Sequence, residues 1–95
     1  MQIKLEYADL ISKADQLRNQ EETFGDCINQ MQRIIGELQA GWEGRSADAY
    51  AEQFSDLLPA FEQTKNLINM IQNQIRQTVQ DMQTTDEEIA SRLVP

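Results

Sequence analysis

The chain has 95 residues, which is room for one domain. It carries 8 Lys+Arg against 16 Asp+Glu and has no His, so its formal net charge is −8. This acidity disfavours nucleic acid as a partner, because phosphate carries the same charge. With one Cys and no His, the chain also offers neither a Cys/His zinc site nor an internal disulfide, and we expect no metal and no cofactor.

The N-terminal stretch MQIKLEYADLISKAD is charged from Lys4 onward and has no apolar region of the kind found in cleavable secretory signals. No segment is apolar over the length needed to cross a membrane. We therefore expect a protein that is cytoplasmic at first and that, if it is secreted, is exported without a cleavable signal peptide.

The first predicted element is a helix over about residues 7–40. Its apolar residues recur with alternating steps of four and three, which is the spacing of one helix face, and only Glu21 interrupts the series. The candidate residues of the hairpin core or dimer core on this face are Leu17, Phe24, Ile28, Met31, Ile35 and Leu38.

A turn is predicted at residues 41–45, where Gly41, Trp42, Glu43 and Gly44 form the one cluster of turn-type residues. Trp42 is the only Trp of the chain. Taken alone, an aromatic residue at the tip of a hairpin closes the end of the core. Gly44 permits a positive φ or a close approach of the backbone.

A second helix is predicted over about residues 46–83, with the same apolar spacing and interruptions at Lys65, Gln72 and Asp86. Pro59 lies inside it, and because the apolar series keeps its phase there we expect a kink and no break. The candidate residues of the hairpin core or dimer core on this helix are Phe54, Leu58, Phe61, Ile68 and Ile75.

If the chain folds back around Glu43, the two interruptions Glu21 and Lys65 face each other and can form an ion pair. In the same register Gly25 faces Phe61, which places a small residue against a large one. The sequence therefore predicts an all-α protein, a two-helix antiparallel hairpin, with this register good to about one helical turn.

A second row of apolar residues makes each helix face wider than one partner helix can cover. Two hairpins packed as a four-helix bundle would cover both rows, so we expect a dimer. Cys27 is expected to be a small buried apolar residue, with an intersubunit disulfide as the alternative. Together with Cys27, the second row comprises Ile34, Tyr50, Leu57, Leu67 and Ile71.

Trp42-Glu43-Gly44 at mid-chain, followed by Ala47, Ala49, Tyr50 and Phe54, resembles the W-x-G family of small type VII secretion substrates, the relatives of the mycobacterial early secreted antigen. The resemblance covers the whole chain. It implies a hairpin that dimerises into an antiparallel four-helix bundle and is exported, folded, by a membrane ATPase machine. It also implies that the turn of one subunit and the C-terminal tail of the other form a composite export signal.

The predicted tail, residues 84–95, lacks the Tyr-x-x-x-Asp/Glu pattern of the mycobacterial branch. It resembles the pattern of the Gram-positive branch, apolar-x-x-x-acid-x-x-apolar-x-x-x-apolar. In the register above, Lys4 lies opposite Met82, so the tail has no part of the first helix to pack on, and we expect either an export contact or a frayed terminus. The candidate export-signal residues are Trp42, Gly44, Met82, Asp86, Ile89 and Leu93.

The chain has no His for acid–base work and no nucleophile with an orienting base, so we expect no enzyme. The leading hypothesis is a non-enzymatic exported protein of the virulence-factor type, a homodimer or a heterodimer with a paralogue or larger substrate, handled by the membrane ATPase. One alternative is an adaptor or chaperone paired with a larger secreted toxin. Another is a membrane-active effector, which the net charge of −8 disfavours at anionic lipid.

Overall fold

The computed structural model describes residues 6–42 and 44–93, and it consists there of two helices that lie antiparallel. Helix α1 comprises Tyr7–Gly41 and helix α2 comprises Arg45–Leu93. The molecule measures 79 × 21 × 18 Å, so it is a rod. The predicted all-α hairpin is confirmed.

Helix α1 has a defined start and end. At the start, the backbone N–H of Glu6 donates to a carboxylate oxygen of Asp9 at 3.2 Å, and the N–H of Leu10 donates to the Glu6 carbonyl. At the end, the N–H of Trp42 donates to the carbonyl of Leu38 at 2.9 Å. These bonds satisfy backbone groups that lack partners inside the helix and so define where the chain leaves it.

Helix α2 has 49 residues and continues past the predicted end near residue 83 as far as Leu93. Thr84 and Thr85 donate their hydroxyls to the carbonyls of Gln80 and Asp81, one turn back, as such residues do inside a helix. The helix also continues through Pro59 without a break. The predicted tail is therefore, as far as residue 93, the last part of α2.

The core of the hairpin is thin, because two helices cover only one stripe of each other. Among the described apolar residues, the buried ones are Ala14, Ile28, Ala47 and Val79. Leu38, predicted in the core of the hairpin or of the dimer, is 41% exposed in the single chain. Most of the large predicted core residues are half-buried, namely Leu17, Phe24, Met31, Ile35, Phe54, Leu58, Phe61, Ile68 and Ile75.

Three aromatic rings cluster in this core, level with the middle of α1. The rings of Phe24 and Phe61 meet edge to face, with centroids 6.3 Å apart and planes at 83°. The ring of Phe54 lies 6.0 Å from that of Phe61. These separations are typical of favourable aromatic pairs. The pair of Phe24 and Phe61 joins the two helices, while Phe54 and Phe61 both lie on α2.

The predicted pairing of the interrupting residues is wrong by one helical turn. Glu21 accepts hydrogen bonds from the amide of Asn69, with both carboxylate oxygens at 3.2 Å, and Asn69 lies one turn beyond Lys65. Lys65 instead lies against Gly25, where an added Cβ would be 3.2 Å from the lysine Cε. The long apolar stem of lysine fits over a residue without a side chain, which leaves Phe61 to pack on Phe24.

Candidate interaction surface

The turn exposes Trp42. Its ring is 45% exposed and lies 6.1 Å from the ring of Tyr50, with a tilt of 36° between them. Gly44 has a φ of +146°, which L side chains rarely adopt, so the expected positive φ is confirmed. Glu43, the middle residue of the motif, lies outside the described residues. The indole is thus half-covered by its own hairpin and half available to another molecule.

The second row of apolar residues lies at the surface. The prediction that Cys27 is buried is wrong: the thiol is exposed, because successive helical residues point about 100° apart and the neighbouring Ile28 takes the place facing α2. The exposed residues of this row, with Leu38, form a surface that we call the outer apolar face. It comprises Ile34, Leu38, Tyr50, Leu57, Leu67 and Ile71.

The candidate tail residues lie at the opposite end of the rod from Trp42. Met82 is half-buried and, with Asp86, lines an open groove of about 740 Å³ beside Tyr7 at the start of α1. Ile89 and Leu93 are exposed. Helix α2 has 49 residues and so spans about 70 Å, and within one chain the two parts of the candidate signal do not meet.

A set of polar contacts across the hairpin was not predicted from the sequence. The guanidinium of Arg76 donates across the hairpin to Asp15 at 2.7 Å and, within α2, to the side-chain oxygen of Gln72 at 2.7 Å. Gln72 is 4% exposed. The interruption of the apolar series at Gln72 was the available signal, since a polar residue on a buried face needs a hydrogen-bonding partner.

Neither of the two described helices is long and apolar enough to cross a membrane. In the described ranges, no group of three or more His, Cys, Asp or Glu side chains is placed to hold a metal ion.

Comparison with known proteins identifies relatives along most of the chain. The chain is 28% identical over 91 residues to YukE of Bacillus subtilis, covering 96% of this chain and 94% of that protein. It is 26% identical over 84 residues to type VII secretion system extracellular protein A of Staphylococcus aureus, covering 81% and 87%.

The fold has a solved counterpart. The crystal structure of EsxA from Geobacillus thermodenitrificans superposes with a TM-score of 0.82 at 28% identity, covering 94% of this chain and 98% of that one. The family model described as proteins of 100 residues with WXG matches residues 2–87. With its Trp42-Glu43-Gly44 turn between two long helices, the chain belongs to this family, WXG100.

Proposed function

We propose that this protein is a small, non-enzymatic substrate of a type VII secretion system, exported as a helical dimer. The relatives from Staphylococcus aureus are named as extracellular proteins of that system. The observation that carries the proposal is the half-exposed Trp42 at the tip of the rod, because a tryptophan needed only for the hairpin core would be buried by it.

The accessible surface area of the hairpin supports the proposal that a second chain covers part of it. The accessible surface is 7652 Å². A compact monomer of 10.9 kDa has about 5,600 Å², so the hairpin exposes roughly 2,000 Å² more than expected. An excess of this size is comparable with the area that a stable interface buries. The outer apolar face runs along both helices and can be covered by the same face of a second copy.

An antiparallel dimer would join the two parts of the candidate signal. If two rods lie side by side in opposite directions, Trp42 and Gly44 of one chain approach the part of α2 that carries Asp86, Ile89 and Leu93 of the other. Trp42 is half-covered, and Ile89 and Leu93 are exposed, so each has surface left for a partner. The proposed receptor of this composite surface is the membrane ATPase of the secretion machine.

An export assay tests the proposed role of the turn. We expect Trp42→Ala to abolish the appearance of the protein in the culture medium while its amount in cells and its helical circular dichroism remain. Met70→Ala is the matched control, since Met70 is also a large apolar residue, exposed at 53%, and lies away from both ends. Normal export of the Trp42 variant would refute the assigned role of the turn.

A second pair of variants tests the proposed role of the tail in export. We expect Ile89→Ser to reduce export at least tenfold, whereas Glu88→Ser, on the same helix turn, leaves export unchanged. Equal export of both proteins would show that the apolar stripe of the tail is not recognised. A decrease in the helicity of the Ile89 variant would assign that residue to the fold instead.

The adaptor hypothesis uses the same surface with a different partner. The outer apolar face would then be covered by a similar helical domain of a larger secreted protein. Light scattering behind a sizing column separates the two: a dimeric mass for the purified chain supports self-association, and a monomeric mass with low helicity favours the adaptor.

A further inference from the structure

The two halves of the hairpin are held by different kinds of contact. In the half near the turn, the rings of Phe24, Phe54 and Phe61 pack together, and Ile28 and Ala47 are buried. The Gln39 amide also donates to Asp48 across the two helices at 3.3 Å. We call this part, which contains the aromatic contacts, the aromatic half, residues 24–41 with 45–61. Opening it would expose apolar surface to water, which is unfavourable.

Further from the turn, a compact group of polar side chains joins the helices. Arg76 donates to Asp15 of α1 at 2.7 Å and to Gln72 of its own helix at 2.7 Å, and Asn69 donates to both carboxylate oxygens of Glu21 at 3.2 Å. We call these residues the polar clasp. It comprises Asp15, Glu21, Asn69, Gln72 and Arg76.

Around and beyond the polar clasp, two open grooves lie between the helices. The groove of about 740 Å³ lies there, and a second groove of about 480 Å³ lies next to it, lined in part by Tyr7, Ile11 and Val79. The described apolar residues that are buried in this part are Ala14 and Val79. We call residues 7–21 with 69–93 the open half.

We propose that the polar clasp is a release point at which the open half separates while the aromatic half stays folded. Opening exposes Ala14 and Val79, but the hydrogen bonds of the clasp are exchanged for hydrogen bonds to water, so their loss is largely compensated. Opening the aromatic half would expose Ile28 and Ala47 and would also separate the rings of Phe24 and Phe61. Local unfolding follows such boundaries between weakly and strongly held segments. The opening would free Met82 and Asp86 from the start of α1, and it stands independently of the proposed export.

Amide hydrogen exchange of the full-length protein, read by mass spectrometry, tests this proposal. Arg76→Ala removes the donor to Asp15. It also leaves the side-chain oxygen of Gln72, a buried residue, without its donor. We expect exchange of the open half to become at least tenfold faster, and that of the aromatic half to change less than threefold.

Arg18→Ala is the matched control. Arg18 also donates to Asp15, at 3.4 Å, but it lies on the same helix and does not connect α1 to α2. Exchange of both halves should therefore stay as in the unsubstituted protein. Equal acceleration of both halves by Arg76→Ala would show a single cooperative unit and overturn the proposal, as would no acceleration at all.

A second variant keeps the proposal testable if the Arg76→Ala protein fails to fold. Replacing Asp15, Gln72 and Arg76 together by Leu puts apolar contacts where the polar ones were, and such exchanges are often neutral or stabilising. We expect exchange in the open half to slow at least tenfold and to approach that of the aromatic half. Unchanged or faster exchange there would overturn the role of the clasp.

Discussion

At the residue scale, two glycines should respond to the same substitution with opposite signs. Gly44 has a φ of +146°, so Gly44→Ala strains the turn and should lower the free energy of unfolding by about 1–3 kcal/mol. Gly36 is inside α1, and an added Cβ would meet nothing within 4 Å. Gly36→Ala should therefore raise the free energy of unfolding by about 0.5–1 kcal/mol.

Urea denaturation of both variants, followed by circular dichroism at one protein concentration, checks the two signs. A gain of stability at position 44 would contradict the strain argument. A loss at position 36 would contradict the open space beside it and would mean that another chain lies in contact with Gly36.

At the scale of elements, Pro59 weakens α2 without interrupting it. The helix is continuous through Pro59, which has no N–H for the carbonyl of Ser55. Pro59 is exposed, so a smaller side chain leaves no cavity. We expect Pro59→Ala to stabilise the protein by about 1–3 kcal/mol, the restored helical bond outweighing the greater freedom of the unfolded chain. Thermal unfolding measures this, and an unchanged or lower Tm would show that α2 depends on a bend there.

At the scale of the whole molecule, substitutions at two neighbouring exposed residues test which surface forms the dimer. Ile71 lies on the outer apolar face and is 49% exposed, while the adjacent Met70 is 53% exposed and points about 100° away. If a second copy covers the face, Ile71→Glu buries a carboxylate against apolar groups and should weaken dimerisation at least a hundredfold. Met70→Glu should leave dimerisation unchanged.

The mass of each variant by light scattering at several concentrations decides between these outcomes. Dissociation of the Met70 variant, or an intact dimer of the Ile71 variant, would place the contact elsewhere on the rod.

The sequence predicted what depends on local pattern. The 3–4 spacing indicated both helices, and the turn with its positive φ at Gly44 follows from residue types alone. Cys27 and Leu38 could not be placed, because a stripe wider than its partner leaves one edge uncovered, and the sequence does not say which. The contacts of Glu21 and Lys65 also depend on long side chains, whose reach spans more than one helical turn.

The candidate site divides in the same way. The W-x-G motif and the apolar phase of Ile89 and Leu93 are readable from the sequence, and both groups are exposed in the structure. The ion pair between Asp15 and Arg76 is not readable from the sequence, since it joins distant positions by a geometry that only the folded hairpin defines. Polar contacts between helices are short-range and directional, and they appear only once the register is known.

Because Trp42 is the only Trp, the intrinsic fluorescence of this protein reports on one end of a rod 79 Å long. Its emission spectrum senses the polarity around a half-exposed indole at the tip, while circular dichroism averages over both helices. A two-state protein gives coincident denaturation curves by the two probes. A hairpin that opens from its far end loses ellipticity first and keeps its tryptophan emission until the tip itself melts.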